Sequence, residues 1–179
     1  MNKLKRLYRF IAKGVTVIDP TTTYIGKGVR IGEGTTIYPL TVIEQNVHIG
    51  KNCSIGPFCR LRPGTRLKDK VSIGNFVEVV RSNIGIGSKA KHLTYIGDTN
   101  IEDDVNVGAG TIVANYDGKE KHRTRIKKSA FIGSGTILVA PVKIGKSAMT
   151  GAGAVVTKNH DVPNGKVVIG IPARILKRS

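Results

Sequence analysis

An aliphatic residue returns at every sixth position from Ile25 to Val79, through Ile31, Ile37, Ile43, Ile49, Ile55, Leu61, Leu67 and Ile73. Four residues after these stand small or β-branched residues, among them Val29, Thr35, Thr41, Cys53, Cys59 and Val77. A period of six fits neither an α-helix, which repeats at 3.6, nor a simple strand, which alternates at two. It is the mark of a hexapeptide β-helix. Each hexad supplies a short flat strand and a corner, three hexads close one coil, and coils stack at roughly 4.8 Å. The large aliphatic side chain fills the inside of a triangular prism and the small one fits beside it. Eleven of the 22 glycines follow the aliphatic position, from Gly26 and Gly32 to Gly145 and Gly151. There the spacing predicts a sharp corner with φ > 0. The period does not set the hand of the coil, and parallel crossovers are right-handed in about 98% of cases.

A chain of 179 residues is one domain by size. Aromatics at 5% beside 40% apolar residues suit a thin interior of Ile, Val, Thr and Ala. The excess of 29 Lys and Arg over 12 Asp and Glu gives +17, a field that favours anionic partners. No 18-residue apolar run offers a membrane span, and charges interrupt the opening residues where a secretory signal would lie. Cys53 and Cys59 share the small interior phase without a CxxC or a matching histidine cluster, so they read as buried hydrophobes in a reducing cytoplasm.

The chain divides into a cap at 1–13, a prism at 14–169 carrying a loop at 114–125, and a basic tail at 170–179. In the cap, Leu4, Leu7, Tyr8 and Ile11 fall at helical spacing among basic residues, with Gly14 as a stop. A membrane-surface anchor and a lid on the open coil end both fit; the lid is preferred, because one short helix holds a membrane weakly. After Val79 the count drops one residue to Ile84, and it drops one more between Ile96 and Ile101. A thirteen-residue gap from Val113 to Ile126 is polar and basic, and among tight corners it marks a candidate functional loop. In the tail, Pro163 and Pro172 are breakers, Arg174, Lys177 and Arg178 are cationic, and the chain is expected to leave the prism after Val168 or Ile169 and run along its surface.

Irregularity inside a regular array is where function is to be sought. The irregular middle holds Glu78, His92, Tyr95, Asn106 and Asn115, with Arg62 about one coil earlier. Histidine is the side chain best suited to accept a proton near neutral pH. On the residues alone His92 reads equally as a catalytic base or as an ordinary surface histidine.

The segments IGPFCRLRPGT (55–65), IGNFVEVV (73–80), GSKAKHLTYIGD (87–98), VNVGAGTIVANYDG (105–118), IGSGTILVAPV (132–142) and GAGAVVT (151–157) resemble the acetyltransferase half of the bacterial bifunctional GlmU enzymes. That half is glucosamine-1-phosphate N-acetyltransferase, in the hexapeptide-repeat acyltransferase superfamily. The resemblance spans about 14–160 and lacks the nucleotidyltransferase half. It implies a left-handed parallel β-helix, all-β apart from the short N-terminal helix, assembled as a homotrimer with sites between subunits. It implies a cytoplasmic enzyme that uses acetyl-CoA as co-substrate, without a catalytic metal, nucleic acid or membrane insertion.

By position, the resemblance places His92 on the general base, Glu78 on the carboxylate that supports it, and Asn115 on the residue that holds the amine. Arg62, Tyr95, Asn106 and Lys121 match residues that grip the sugar phosphate. The N–H near Ala109 matches the donor to the acetyl oxygen, and Ser134 and Ala152 match the coenzyme channel. Lys158 and Arg174 join the coenzyme side, the latter through GIPAR, an ending shared with other hexapeptide acyltransferases. Two departures stand out. Val80 occupies the place of a phosphate-binding lysine, with Arg81 next to it as the nearest cation, and Gly170 stands near the place of a tail arginine.

Other readings compete. A zinc hydratase on the same prism needs three converging histidines, whereas His48, His92, His122 and His160 are far apart in the chain. A nucleic-acid binder fits the charge but has no aromatic platform or recognised module. A non-catalytic polyanion binder and an N-acetyltransferase for another, or nucleotide-linked, amino sugar stand as alternatives to glucosamine 1-phosphate.

Overall fold

A computed structural model describes residues 3–176, with side chains from Leu7 onward. Its body is a parallel β-helix of three faces with ten, eight and seven strands, and one short helix precedes it. The first face runs from Thr16–Val17 through Ser72–Asn75 and Lys89–His92 to Val167–Ile169. The second includes Glu78–Val80 and Tyr95–Gly97, and the third runs from Arg30–Ile31 to Val142–Ile144. Most strands are two residues long, the first pointing out and the second in, which is how a six-residue period fills a prism. Ile37, Ile43, Ile55 and Leu61 are fully buried in the stack. Threonine serves at the small interior phase because its hydroxyl finds a carbonyl there: Thr35 Oγ1 donates to Gly50 O at 2.9 Å and Thr65 Oγ1 to Val79 O at 3.1 Å.

The register locates the first slip. Ser54 pairs with Ser72, 18 residues on, and Ser72 with Lys89, 17 residues on, so one coil is a residue short. Thr99 pairs with Thr124, and the intervening excess is the loop between the second and third faces.

The glycines correct one expectation. Of the eleven that follow the aliphatic position, only Gly56 has positive φ. The others are required by close approach: a Cβ on Gly26 would lie 2.6 Å from Gln45 N, and one on Gly32 2.7 Å from the Gly50 carbonyl carbon. Left-handed residues instead form a ladder at each edge of the prism. On the edge between the first and second faces they are Leu40, Phe58, Phe76 and Leu93, then Gly110, Gly135 and Gly153. Four of these are large, apolar and exposed, and Phe58 and Phe76 stack with ring centroids 5.3 Å apart. Bulky residues at positive φ are uncommon and cost free energy, so this stripe is not a default choice.

Both ends of the coil are covered. The helix Lys3–Ile11 buries Leu7 and packs Phe10 against the core, while Tyr8 and Ile11 face outward. The lid therefore uses Phe10 where the helical spacing had pointed to Tyr8 and Ile11. Gly14 N donates to Ile11 O at 3.0 Å with φ 80°, a left-handed stop. At the other end the tail does not run freely along the surface. Arg174–Ile175 turns back antiparallel onto Val167–Ile169, extending the first face and pairing backbone groups that would be bare. Lys177 and Arg178 lie outside the described residues. No helix of the described residues is long and apolar enough to cross a membrane. Cys53 and Cys59 are buried free thiols, and burial pushes Cys59 up to about 12.

Candidate active site

His92 ends a strand of the first face, one residue before the left-handed corner at Leu93. The short coil brings Asn75 into register with it, and His92 Nδ1 lies 2.7 Å from Asn75 Oδ1. An amide oxygen only accepts, so with Oδ1 turned to the ring a neutral imidazole would carry its proton on Nδ1 and leave the Nε2 lone pair free. That is the tautomer a proton acceptor needs. Asn75 escaped the sequence reading, although it sits in the segment IGNFVEVV and the shortened coil counts 17 residues from it to His92.

The residues one step before each left-handed corner form a single column. Leu93 N donates to Asn75 O, Gly110 N to His92 O, Gly135 N to Ala109 O and Gly153 N to Ser134 O. Asn75, His92, Ala109, Ser134 and Ala152 thus follow one another on one edge, each about 4.8 Å from the next. Four positions that the resemblance assigned, His92, Ala109, Ser134 and Ala152, fall in this column. The Ala109 N–H takes no partner among the described residues, leaving a donor one coil from the imidazole. Asn106 lies three residues before Ala109 on the first face, in register with Lys89 and Phe131.

The second face carries the polar wall beside this edge. Glu78 is in register with Tyr95, and its Oε1 accepts from Arg62 Nη1 at 2.7 Å. Within the chain Glu78 therefore holds Arg62, and Asn75 takes the place at the ring that the resemblance gave to Glu78. The Glu78 bond raises the Arg62 pKa, and Arg62 Nε is buried without a hydrogen-bond partner. Val80 is 2% exposed, in register with Gly97.

At the far end of that wall Arg81 binds Asp98 through two bonds, Nε to Oδ1 at 2.6 Å and Nη2 to Oδ2 at 2.7 Å. Arg81 was read as a cation for the acceptor; its fork is spent on this carboxylate. Buried Asn115 also donates Nδ2 to Asp98 Oδ2. The Arg81 bond, then that of Asn115, hold the Asp98 carboxyl below the usual carboxylate range against the opposing effect of burial, with help from the nearby Lys121 charge. Gly97 makes the cluster possible, because a Cβ there would lie 2.6 Å from Asn115 Nδ2 and 2.7 Å from Tyr95 Oη.

The loop is tied to itself and to the body. His122 N donates to Asn115 O at 2.8 Å, and His122 Nε2 lies 2.6 Å from Asp117 Oδ2. Lys158 Nζ reaches the same oxygen at 3.5 Å, so this residue anchors the loop. Lys121 is exposed on it. Arg174 is exposed on the returning strand and donates Nη1 to Ala173 O at 3.1 Å. The four histidines have separate partners, and no three His, Cys, Asp or Glu among the described residues lie close enough to hold a metal.

Residues 46–81 match the family described as bacterial transferase hexapeptide (six repeats), and residues 123–158 match the hexapeptide repeat of succinyl-transferase. The bifunctional protein GlmU of Fervidobacterium nodosum is 46% identical over 98% of this chain and 46% of its own length. That of Thermotoga maritima is 44% identical over the same shares. Across nearly its whole length the chain is thus similar to proteins that carry transferase hexapeptide repeats. The chain spans about half the length of the curated relatives it matches. The UDP-N-acetylglucosamine acyltransferase of Francisella novicida superposes with a TM-score of 0.63 over 90% of this chain and 70% of that structure, at 15% identity, a likeness of fold.

Proposed function

We propose that this chain is a hexapeptide acyltransferase that moves the acetyl group of acetyl-CoA onto the amine of an amino-sugar phosphate, glucosamine 1-phosphate foremost. The observation that carries the reading is the column in which His92, its Nδ1 set against Asn75 Oδ1, stands one coil from the free Ala109 N–H. His92 Nε2 takes a proton from the sugar ammonium, and the freed amine attacks the thioester carbonyl. Ala109 N–H donates to the oxygen on which negative charge develops. The adduct nitrogen loses its surplus proton to solvent, the adduct collapses with breakage of the C–S bond, and the thiolate takes a proton back from the imidazolium. Ser134 and Ala152 continue the edge as the bed for the coenzyme arm, and Lys158 and Arg174 supply cations at that end. Tyr95, Asn106 and Asn115 shape the sugar side, with Lys121 as its reach from the loop.

Phosphate binding in this reading falls to Arg62, whose guanidinium is partly exposed beside Glu78. A second acceptor class, an amino sugar without a 1-phosphate or linked to a nucleotide, is favoured by two facts: Val80 is apolar and buried, and Arg81 is paired with Asp98. The exposed Leu40, Phe58, Phe76 and Leu93 run along the edge that carries His92 and support a homotrimer with the sites in the clefts between subunits. The buried free thiols and the use of acetyl-CoA suit the cytoplasm.

The test follows free thiol from acetyl-CoA with a panel of amino sugars and their 1-phosphates, on wild type, His92→Ala and Val80→Lys. Turnover should collapse in His92→Ala, and Val80→Lys should lower KM for the 1-phosphate alone. Thiol release unaffected by His92→Ala would end the proposal, and an unphosphorylated or nucleotide-linked amino sugar as best acceptor would select the second class.

A further inference from the structure

A groove of about 970 Å³ opens between the N-terminal helix and the first coils of the third face. It lies on the face opposite the edge that bears His92, toward the other end of the stack. Its rim carries Arg9 and Lys13 from the helix region and Lys27 and Arg30 from the first coil, with His48 on the next rung. Phe10, Val29 and Ile31 form an apolar wall, and no carboxylate lines it.

The placement of the acids gives the groove meaning beyond the net charge. Elsewhere some basic side chains stand beside acids, Lys51 with Glu33, Arg60 with Glu44, Lys127 with Glu102 and Lys128 with Asp104, while others such as Lys143 and Lys146 form no ion pair among the described residues. What sets the groove apart is that its cations converge on one cavity without an acid. Lys13, Lys27 and Arg30 have no ion pair among the described residues. The local field is felt by His48. Burial lowers its pKa first, and the charges of Arg66 and Arg30 lower it further. Arg66 Nη1 stands 2.6 Å from His48 Nδ1, which holds the ring as a neutral acceptor facing Arg30 one rung away.

We propose that this groove binds the phosphate groups of a small phosphorylated ligand of about nucleotide size. Arginine forks match phosphate oxygens, and lysines supply point charges around them. The volume lies within the range of small-molecule pockets, and the Phe10, Val29 and Ile31 wall offers a surface to a flat or apolar moiety. The site is independent of acetyl transfer, since none of its residues lies in the His92 column.

The test measures binding of inorganic pyrophosphate and of adenosine diphosphate by calorimetry at about 0.15 M salt, where charges beyond about 8 Å are screened. The proteins are wild type, the double variant Lys27→Gln/Arg30→Gln, and Lys143→Gln, which removes a cation of the same face outside the groove. Wild type and Lys143→Gln should bind alike, the double variant about tenfold or more weakly, and the His48 ring should titrate at higher pH when pyrophosphate is bound, by proton NMR. Thiol release from acetyl-CoA should be unchanged in the double variant. Equal binding by the double variant, an equal loss in Lys143→Gln, or a His48 titration that does not respond would overturn the proposal. So would sedimentation with phosphatidylglycerol vesicles that depends on Lys27 and Arg30 while pyrophosphate does not bind, which would make the groove a membrane contact.

Discussion

Asn75 Oδ1 stands 2.7 Å from His92 Nδ1, from the neighbouring coil of the same face. If this bond fixes the ring with its Nε2 lone pair toward the edge, Asn75→Ala should lower kcat by about 10- to 100-fold with little change in KM, as loss of an orienting partner does. Asn75→Asp is the sharper test. A carboxylate at that place favours the imidazolium, so the acid limb of the kcat/KM profile should move to higher pH. A variant whose limb stays put would show that Asn75 has only a packing role.

The Arg81–Asp98 pair makes a second prediction. Asp98 has a folded-state pKa below its unfolded value, with the Arg81 bond the largest cause. Its contribution to stability is then fully present above the ordinary carboxylate pKa and is lost as pH falls through the lowered folded value. Asp98→Ala should cost about 2 kcal/mol at neutral pH, the scale of a charged hydrogen bond. The gap between wild type and variant should narrow at pH values below about 4. Urea unfolding at pH 7 and pH 3 checks both statements, and a gap that persists undiminished in acid would assign the loss to packing.

What the sequence disclosed follows from which forces act along it. The six-residue period reports directly on interior filling, so the prism and its inward Ile and Leu could be read from Ile25 onward. The column of His92, Ala109, Ser134 and Ala152 was legible only through resemblance, because its members are 17, 25 and 18 residues apart and no single period links them. Asn75 was missed because its role depends on the one-residue slip that sets it opposite His92. The glycine phase misled in another way. A glycine needed because the next coil passes close by is indistinguishable in sequence from one needed for positive φ, and Gly26 and Gly32 are of the first kind. The partner of Arg81 could not be read either, since Asp98 reaches it only through the stacking of one corner on the next.

Gly97 provides a third prediction from that close approach. An added Cβ would meet Asn115 Nδ2 and Tyr95 Oη at 2.6 and 2.7 Å, distances at which something must move. Gly97→Ala should therefore displace the two side chains and cut kcat/KM for the acceptor by at least about tenfold, with a loss of about 1–3 kcal/mol in stability. Gly118→Ala is the control. It has φ 96° but nothing within 4 Å of a Cβ, so strain alone applies and acetyl-CoA turnover should be far less affected. Equal losses in both would point to backbone strain as the common cause.

The apolar edge makes the last prediction. Phe58 and Phe76 are roughly half exposed, stacked on one another at φ 53° and 55°, where glycine would avoid the steric cost. The same edge farther along uses Gly110, Gly135 and Gly153 at the equivalent positions, so the coil itself does not demand large residues there. Exposed aromatic and aliphatic groups held at a conformational cost are explained if a second copy of the chain covers them. Phe58→Ser/Phe76→Ser should then shift sedimentation from three times the chain mass toward 19.2 kDa. Activity should fall with the assembly, because His92 lies beside Leu93 on that edge and its cleft would lose one wall. The circular dichroism spectrum should be unchanged, since neither ring belongs to the interior stack. A variant that stays assembled and active would remove the edge from the subunit interface.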